Sequence, residues 1–516
     1  MRKSIPIFAA LLALLAMPSG CYKDLGNYEY RELDEVVIDT AGLGILPAYS
    51  VYRYDTLRIS PKITLNGAPA DGSTAGLEYT WSIFQAVVGG TVYSRDTLSH
   101  SPSLEAAITK PSGNWIVHLS VKDLKSDVET YFRVDVHVDE TISDGWMVLY
   151  ETEDGNTDVG LIVDDYVKTG VTKDRVFTGL FAGTNGKPLS GKPKSICHSA
   201  ACLTSGEILL ASEHEFVGVD MTSFEVTYPF ESLFWNAPEK QAPTVVIFTN
   251  FRKETVINDN RVHSVNFMSS GTSRTNYFGE ACRGDYGTLA EWSAIYPSNS
   301  LDAVVYDQTN GRFLQLPYGG VSIEGFGPQD PAECAFDVND VGMRMVSSDY
   351  GRNNMEYSLM EKDGKFCLLV SDFANADPAS TGIGIARYDM SECPGLASAC
   401  SLVGTLNGEY VYYGGGPGVY IYKYNSGNPA AECWKAPAGE DVTCIGIMKL
   451  QHSALYNTFV PNPCKLLMIA TYDESRKIGK VYEYLLDPAN GSLDLSSERV
   501  RSGFGRIHDM CYKWSF

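Results

Sequence analysis

His214 stands between Glu213 and Glu215, an imidazole flanked by two carboxylates, the residue types that hold a divalent cation. On an extended strand, neighbouring side chains point to opposite faces, so His214 is turned away from both glutamates and one shared site is not expected. His198, His263, His452 and His508 fall in the same large region, 144–516, without grouping. "DGNTD" (154–158) begins like a calcium loop but lacks the sixth-position glycine and the closing glutamate, so it reads as a hairpin turn. "RGD" (283–285) imitates an adhesion tripeptide and is equally ordinary loop chemistry. The chain has no G-x-S-x-G elbow, H-E-x-x-H pair, phosphate loop or dinucleotide fingerprint. No catalytic residue, metal ligand or cofactor is therefore assigned. The enzyme alternative is a propeller-fold glycoside hydrolase or lyase; a hydrolase would need two carboxyl groups about 5–9.5 Å apart, and the 63 acidic residues leave that alternative open.

Aromatic side chains are the stronger signal. The chain has 31 tyrosines and seven tryptophans, and several sit in loop-like stretches: Trp235 in "SLFWNAPEK", Tyr286 in "RGDYG", Tyr318 in "LPYGG" and Trp434 in "AECWKAP". A flat exposed ring stacks on the apolar face of a sugar while nearby polar groups bind its hydroxyls. These four are the candidate ligand-binding residues; the competing reading is that such rings fill gaps between packed sheets.

Cys21 is the remaining chemical position. Arg2 and Lys3 precede an apolar run, Ile5 to Met17, which is shorter than the roughly 20 residues a spanning helix needs. Ser19-Gly20 then leads directly to the cysteine, an order that resembles a bacterial lipobox, with Pro18 where an aliphatic residue is usual. Residues 1–20 are read as the signal peptide, Cys21 as the lipidation site and 21–29 as the tether. Buried acyl methylenes contribute about 0.8 kcal/mol each, so two or three chains anchor a water-soluble domain. An ordinary signal beside a free thiol is the alternative.

What must position these groups is sheet. Residues 30–140 read as an immunoglobulin-like sandwich: "LEYTWSIF", "NWIVHLSVKD" and "TYFRVDVHV" are β-branched and aromatic runs between turn clusters. Strict alternation in the last places Phe132, Val134, Val136 and Val138 on one face, and Trp81 is the expected core aromatic. From 144 to 516, hairpins recur around "EDGN", "QTNGR", "EKDGK" and "DPANG", turns whose glycines permit positive φ. Units repeat at roughly 45–55 residues, which predicts a β-propeller of about seven blades. The terminal "GFGRIHDMCYKWSF" is expected to complete the blade begun at "GWMVLYE", closing the ring and removing exposed edges. The fold class is thus all-β, a sandwich followed by a propeller.

Composition narrows the partners. The hydrophobic fraction of 44% supports a large core. A net charge of −22, with no basic block, argues against nucleic acid. Twelve cysteines include Cys21, leaving an odd number without zinc spacing. Buried thiols such as Cys367 and Cys444 are expected, with local bridges Cys197–Cys202 and Cys393–Cys400 as candidates.

Taken together, "GCYKDLGNYEY", the sandwich, "DGWMVLYE" and "GFGRIHDMCYK" resemble the PKD-like family lipoproteins of Bacteroidota. The resemblance implies a PKD-like stalk on an outer-membrane lipoprotein, surface-displayed and associated with a SusC/SusD-type nutrient uptake complex. It implies membrane contact through the lipid and a glycan or protein ligand, and no established enzyme activity. A structural envelope scaffold is the third alternative.

Overall fold

The computed structural model describes residues 33–52, 55–85, 95–110, 112–139, 144–171, 173–199, 206–265, 274–449 and 460–514. Cys21 lies outside them.

The first unit is the sandwich. One sheet runs Ala48–Tyr52, Glu129–Asp139, Gly113–Asp123, Leu77–Gln85, Asp96–Ser99 in spatial order; Val36–Asp39, Lys62–Leu65 and Ala68–Ala70 form a second. Thr56–Ile59 pairs with Leu104–Ala107. Val134, Val136 and Val138 face inward and Phe132 packs against them, as the alternation requires. Trp81 is fully buried among them and donates its indole N–H to the Ser101 carbonyl at 3.0 Å.

Residues 145–513 form seven sheets. The innermost strands, in ring order, are Arg506–Lys513, Pro193–Ser199, Pro243–Phe248, Leu289–Ser293, Arg344–Tyr350, Ser401–Gly404 and Glu440–Ile447. Each contacts the next, and the last contacts the first. This closed ring is a seven-bladed propeller. Blades are numbered from the one whose inner strand is Arg506–Lys513. That C-terminal strand pairs antiparallel with Gly145–Glu151, which is followed outward by Thr157–Val163 and Arg175–Phe177. The expected closure is therefore present: one blade takes its inner strand from the end of the chain and its other three from residues 145–177. Blades 3 and 4 carry three strands among the described residues; the others carry four.

Packing follows the same ring. Seven apolar clusters each lie between two adjacent blades, from Leu149, Leu161, Ile208 and Leu210 between blades 1 and 2 round to Trp146, Val148, Met468 and Phe504 between blades 7 and 1. Short polar side chains also stitch the inner strands together. Ser347 Oγ accepts the Leu402 N–H at 3.0 Å and Asp349 Oδ2 the Gly404 N–H at 3.0 Å, an equal offset that shows the inner strands of blades 5 and 6 running parallel. Ser195 does the same for Val246 at 3.3 Å, and Ser401 for Ile445 at 3.2 Å. At the "EKDGK" turn, Asp363 and Gly364 both take positive φ, the two-residue hairpin geometry its sequence requires.

The two units are joined tightly. Ser50 on the sandwich's edge strand donates its N–H to the Gly170 carbonyl at 3.3 Å. A Cβ at Gly170 would lie 2.7 Å from the Ser50 nitrogen, so this approach requires glycine. Buried Lys168 pairs with Asp139 at 2.7 Å and Asp144 at 3.2 Å, and Tyr52 enters the core between blades 1 and 2.

Two expectations need correction. Cys393 and Cys400 are both free thiols: Cys393 accepts the Ala430 N–H, and Cys400 contacts the carbonyls of Gly414 and Thr443. Cys197 is free as well, and Cys202 lies outside the described residues. Cys367 and Cys444 are buried free thiols, as expected.

Candidate functional site

Two concave regions stand out, one at the rim of the propeller and one on its axis. The rim cleft, of about 340 Å³, is walled by Trp235, Tyr277, Gly279, Arg283, Gly320 and Val321, among others. Local backbone pairing builds it. Trp235 donates its N–H to the Phe278 carbonyl at 3.0 Å, docking the segment after blade 2 beside blade 3. Arg283 donates its N–H to the Val321 carbonyl at 2.9 Å, bringing the segment after blade 4's third strand to the same place. Trp235 is 64% exposed and meets Tyr277 edge to face, with ring centroids 4.9 Å apart. Val321 is 67% exposed. Exposed Arg283 and Glu280 supply charge, and Glu280 also accepts from the Asn236 amide at 3.3 Å. An aromatic pair beside an amide, a carboxylate and a guanidinium is the chemistry that binds a polyhydroxylated surface.

The four aromatic candidates separate. Trp235 lies in the cleft. Tyr286 is half-buried outside it, with the Arg261 guanidinium 5.5 Å from its ring centre. Tyr318 is exposed, adjoins cleft-lining Gly319 and sits under the Lys253 ammonium at 4.8 Å. Trp434 is a correction. It lies in the strand Ala431–Lys435, is 7% exposed and donates its indole N–H to Tyr484 Oη at 2.9 Å in the core between blades 6 and 7. It fills a gap between sheets and presents no face to a ligand. Tyr277 was not anticipated; it reaches the cleft through the backbone pairing of Phe278 with Leu233 and Trp235.

The axial channel holds about 420 Å³ and is lined by the inner strands of all seven blades. Four carboxyl groups reach its lining: Glu291, Asp349, Glu356 and Asp509. Glu291 pairs with Lys194 at 2.9 Å and Asp349 with Lys449. Burial pushes the Asp349 carboxyl up while Lys449 opposes that. Burial pushes Glu356 up to about 8, although Ser348 Oγ donates to it at 2.7 Å and Trp292 Nε1 at 3.2 Å. Asp509 accepts the Ile196 N–H at 3.0 Å. No neighbouring sequence positions announce this site, since each group comes from a different blade or strand.

His214 and the flanking glutamates occupy the turn after Glu207–Ser212. Among the described residues, no group of three or more His, Cys, Asp or Glu is placed to hold a metal. The "DGNTD" stretch is a hairpin turn. Its last residue, Asp158, accepts the N–H groups of Phe181 at 3.0 Å and Ala182 at 3.4 Å, at the start of the short helix Leu180–Asn185.

A family model described as the PKD-like family matches residues 21–193. That stretch, about a third of the chain, is similar to the PKD-like family. The PKD-like stretch takes in the sandwich and the outer three strands of blade 1, ending where the inner strand of blade 2 begins. No curated protein matches the chain. Similar solved structures include a quinonprotein alcohol dehydrogenase-like protein from Bacteroides thetaiotaomicron, at 12% identity and TM-score 0.42, covering 94% of this chain and 100% of that one. A protein from Lactobacillus plantarum aligns at 9% identity and TM-score 0.43, covering 72% and 99%. A DUF4784 family protein from Bacteroides caccae aligns at 10% identity and TM-score 0.30, covering 91% and 95%. The propeller assignment rests on the chain's own ring of seven sheets.

Proposed function

We propose that this protein is an outer-membrane lipoprotein that binds glycan for a SusC/SusD-type nutrient uptake system and performs no catalysis itself. The observation that carries the reading is the rim cleft. A tryptophan left 64% exposed beside a second ring and three hydrogen-bonding side chains is costly to leave in water and well suited to a sugar ring. Acylated Cys21 holds the chain on the membrane, and the sandwich, tied to the propeller through Lys168, sets the cleft away from the lipid. The strongly acidic surface suits a neutral polysaccharide.

Affinity electrophoresis of the full chain in detergent, through gels containing neutral plant and host polysaccharides, tests this. Retardation by at least one polysaccharide, lost in Trp235→Ala, supports the reading. Unretarded migration in every gel contradicts it. Radiolabelled palmitate should enter the wild-type chain and not Cys21→Ser.

A second reading, a glycoside hydrolase, is favoured by one arrangement: Glu356 stands on the channel wall with its carboxyl pushed up to about 8 by burial, the direction a general acid needs. Release of reducing ends from an oligosaccharide, abolished in Glu356→Gln, would establish it over the first.

A further inference from the structure

We propose that the axial channel is a second binding site, for a neutral polyhydroxylated molecule of mono- or disaccharide size, held by Trp146, His198 and Thr443. Three buried polar groups on its wall have no hydrogen-bond partner among the described residues: Trp146 Nε1, both ring nitrogens of His198 and Thr443 Oγ1. Trp146 is 2% exposed and His198 3% exposed, so neither is turned to bulk solvent. They belong to blades 1, 2 and 7, which are contiguous in the ring.

The chemistry of these groups selects the ligand. The indole N–H only donates, and the threonine hydroxyl both donates and accepts. Burial and the neighbouring Lys513 ammonium hold His198 down at about 3, so its ring is neutral and offers one donor and one acceptor. Such a mixed set matches hydroxyl groups, which also do both. A charged ligand is poorly served. Lys194 and Lys449 are already paired with Glu291 and Asp349, Lys513 is not among the lining residues and donates to the Met221 carbonyl at 2.6 Å, Asp509 holds the Ile196 N–H, and burial favours the neutral form of Glu356. An ion would enter without a counter-charge. Trp146, Trp292, Tyr350 and Trp514 add rings along the wall, and the volume falls within the range of small-molecule sites. Exposed Glu291, Cys400 and His508 mark one mouth.

The site is independent of the rim cleft, and the test separates the two. Saturation-transfer NMR and titration calorimetry on the full chain in detergent would use glucose, maltose and cellobiose as probes. Saturation transfer from at least one sugar is expected. Trp146→Phe, which keeps an aromatic ring, and Thr443→Val, which keeps shape, each remove an unpartnered polar atom and should weaken it about tenfold or more. Measured in the Trp235→Ala background, in which the rim cleft is disabled, binding to the channel should persist, and melting curves should show both channel variants folded. No transfer from any of the three sugars overturns the proposal. So does binding that both channel variants retain and Trp235→Ala removes.

Discussion

Asp509, seven residues before Phe516, accepts the backbone N–H of Ile196 at 3.0 Å and so ties the inner strand of blade 1 to that of blade 2. Removing the carboxylate leaves a buried N–H unsatisfied, which costs about 1–3 kcal/mol. Asp509→Ala should lower the urea midpoint accordingly without changing the slope. Deleting residues 506–516 removes a whole inner strand and leaves the edge of Gly145–Glu151 unpaired, so a single cooperative transition of the propeller should disappear.

Arg274 is buried between two carboxylates, at 3.0 Å from Glu207 and 2.6 Å from Glu254. Arg274→Met should destabilise by about 3–5 kcal/mol, because two buried acids lose their counter-charge. Adding Glu207→Gln and Glu254→Gln to that variant should recover part of the loss. Denaturant titration of the three proteins measures this, and an unchanged midpoint for Arg274→Met would contradict it.

Burial raises Glu356 from 4.5 to about 8. The folded chain then keeps a proton that the unfolded chain releases near pH 4.5, so this group's contribution is present at low pH and lost as pH rises toward 8. Each tenfold difference in proton affinity is about 1.4 kcal/mol. Glu356→Gln titrates nothing here, so its stability relative to wild type should rise by several kcal/mol between pH 5 and pH 8. Parallel pH profiles of the two proteins would contradict the assignment.

Trp434 and Trp235 should part company in a melting experiment. Trp434→Ala opens a cavity between blades 6 and 7 and should cost about 3–5 kcal/mol. Trp235→Ala removes an exposed ring and should stay within about 0.5 kcal/mol.

The propeller was legible because its signals are local. Asp-Gly and Asn-Gly turns mark hairpins, and a terminal strand without a partner implies one waiting at "GWMVLYE". Sandwich faces followed from strict alternation between Tyr131 and Val138. Trp434 was misread because Pro437 and Gly439 make its surroundings look like loop, whereas pairing with Val419 holds it in a strand. Trp235 could be found as a ring flanked by Asn236 and Pro238. Its partners Tyr277 and Val321 could not, since they reach it only through backbone pairing of segments more than forty residues away. The axial groups were beyond reach for the same reason: strands from all seven blades supply the wall, and nothing local marks Trp146 or Glu356 on the second strands of blades 1 and 5.

The glycan-binding claim is tested most directly by calorimetry of wild type and Trp235→Ala with an oligosaccharide cut from whichever polysaccharide retards the protein. The account predicts saturable binding that weakens about tenfold or more, equivalent to about 1.4 kcal/mol, when the indole is removed. Equal affinity in the two proteins would contradict it.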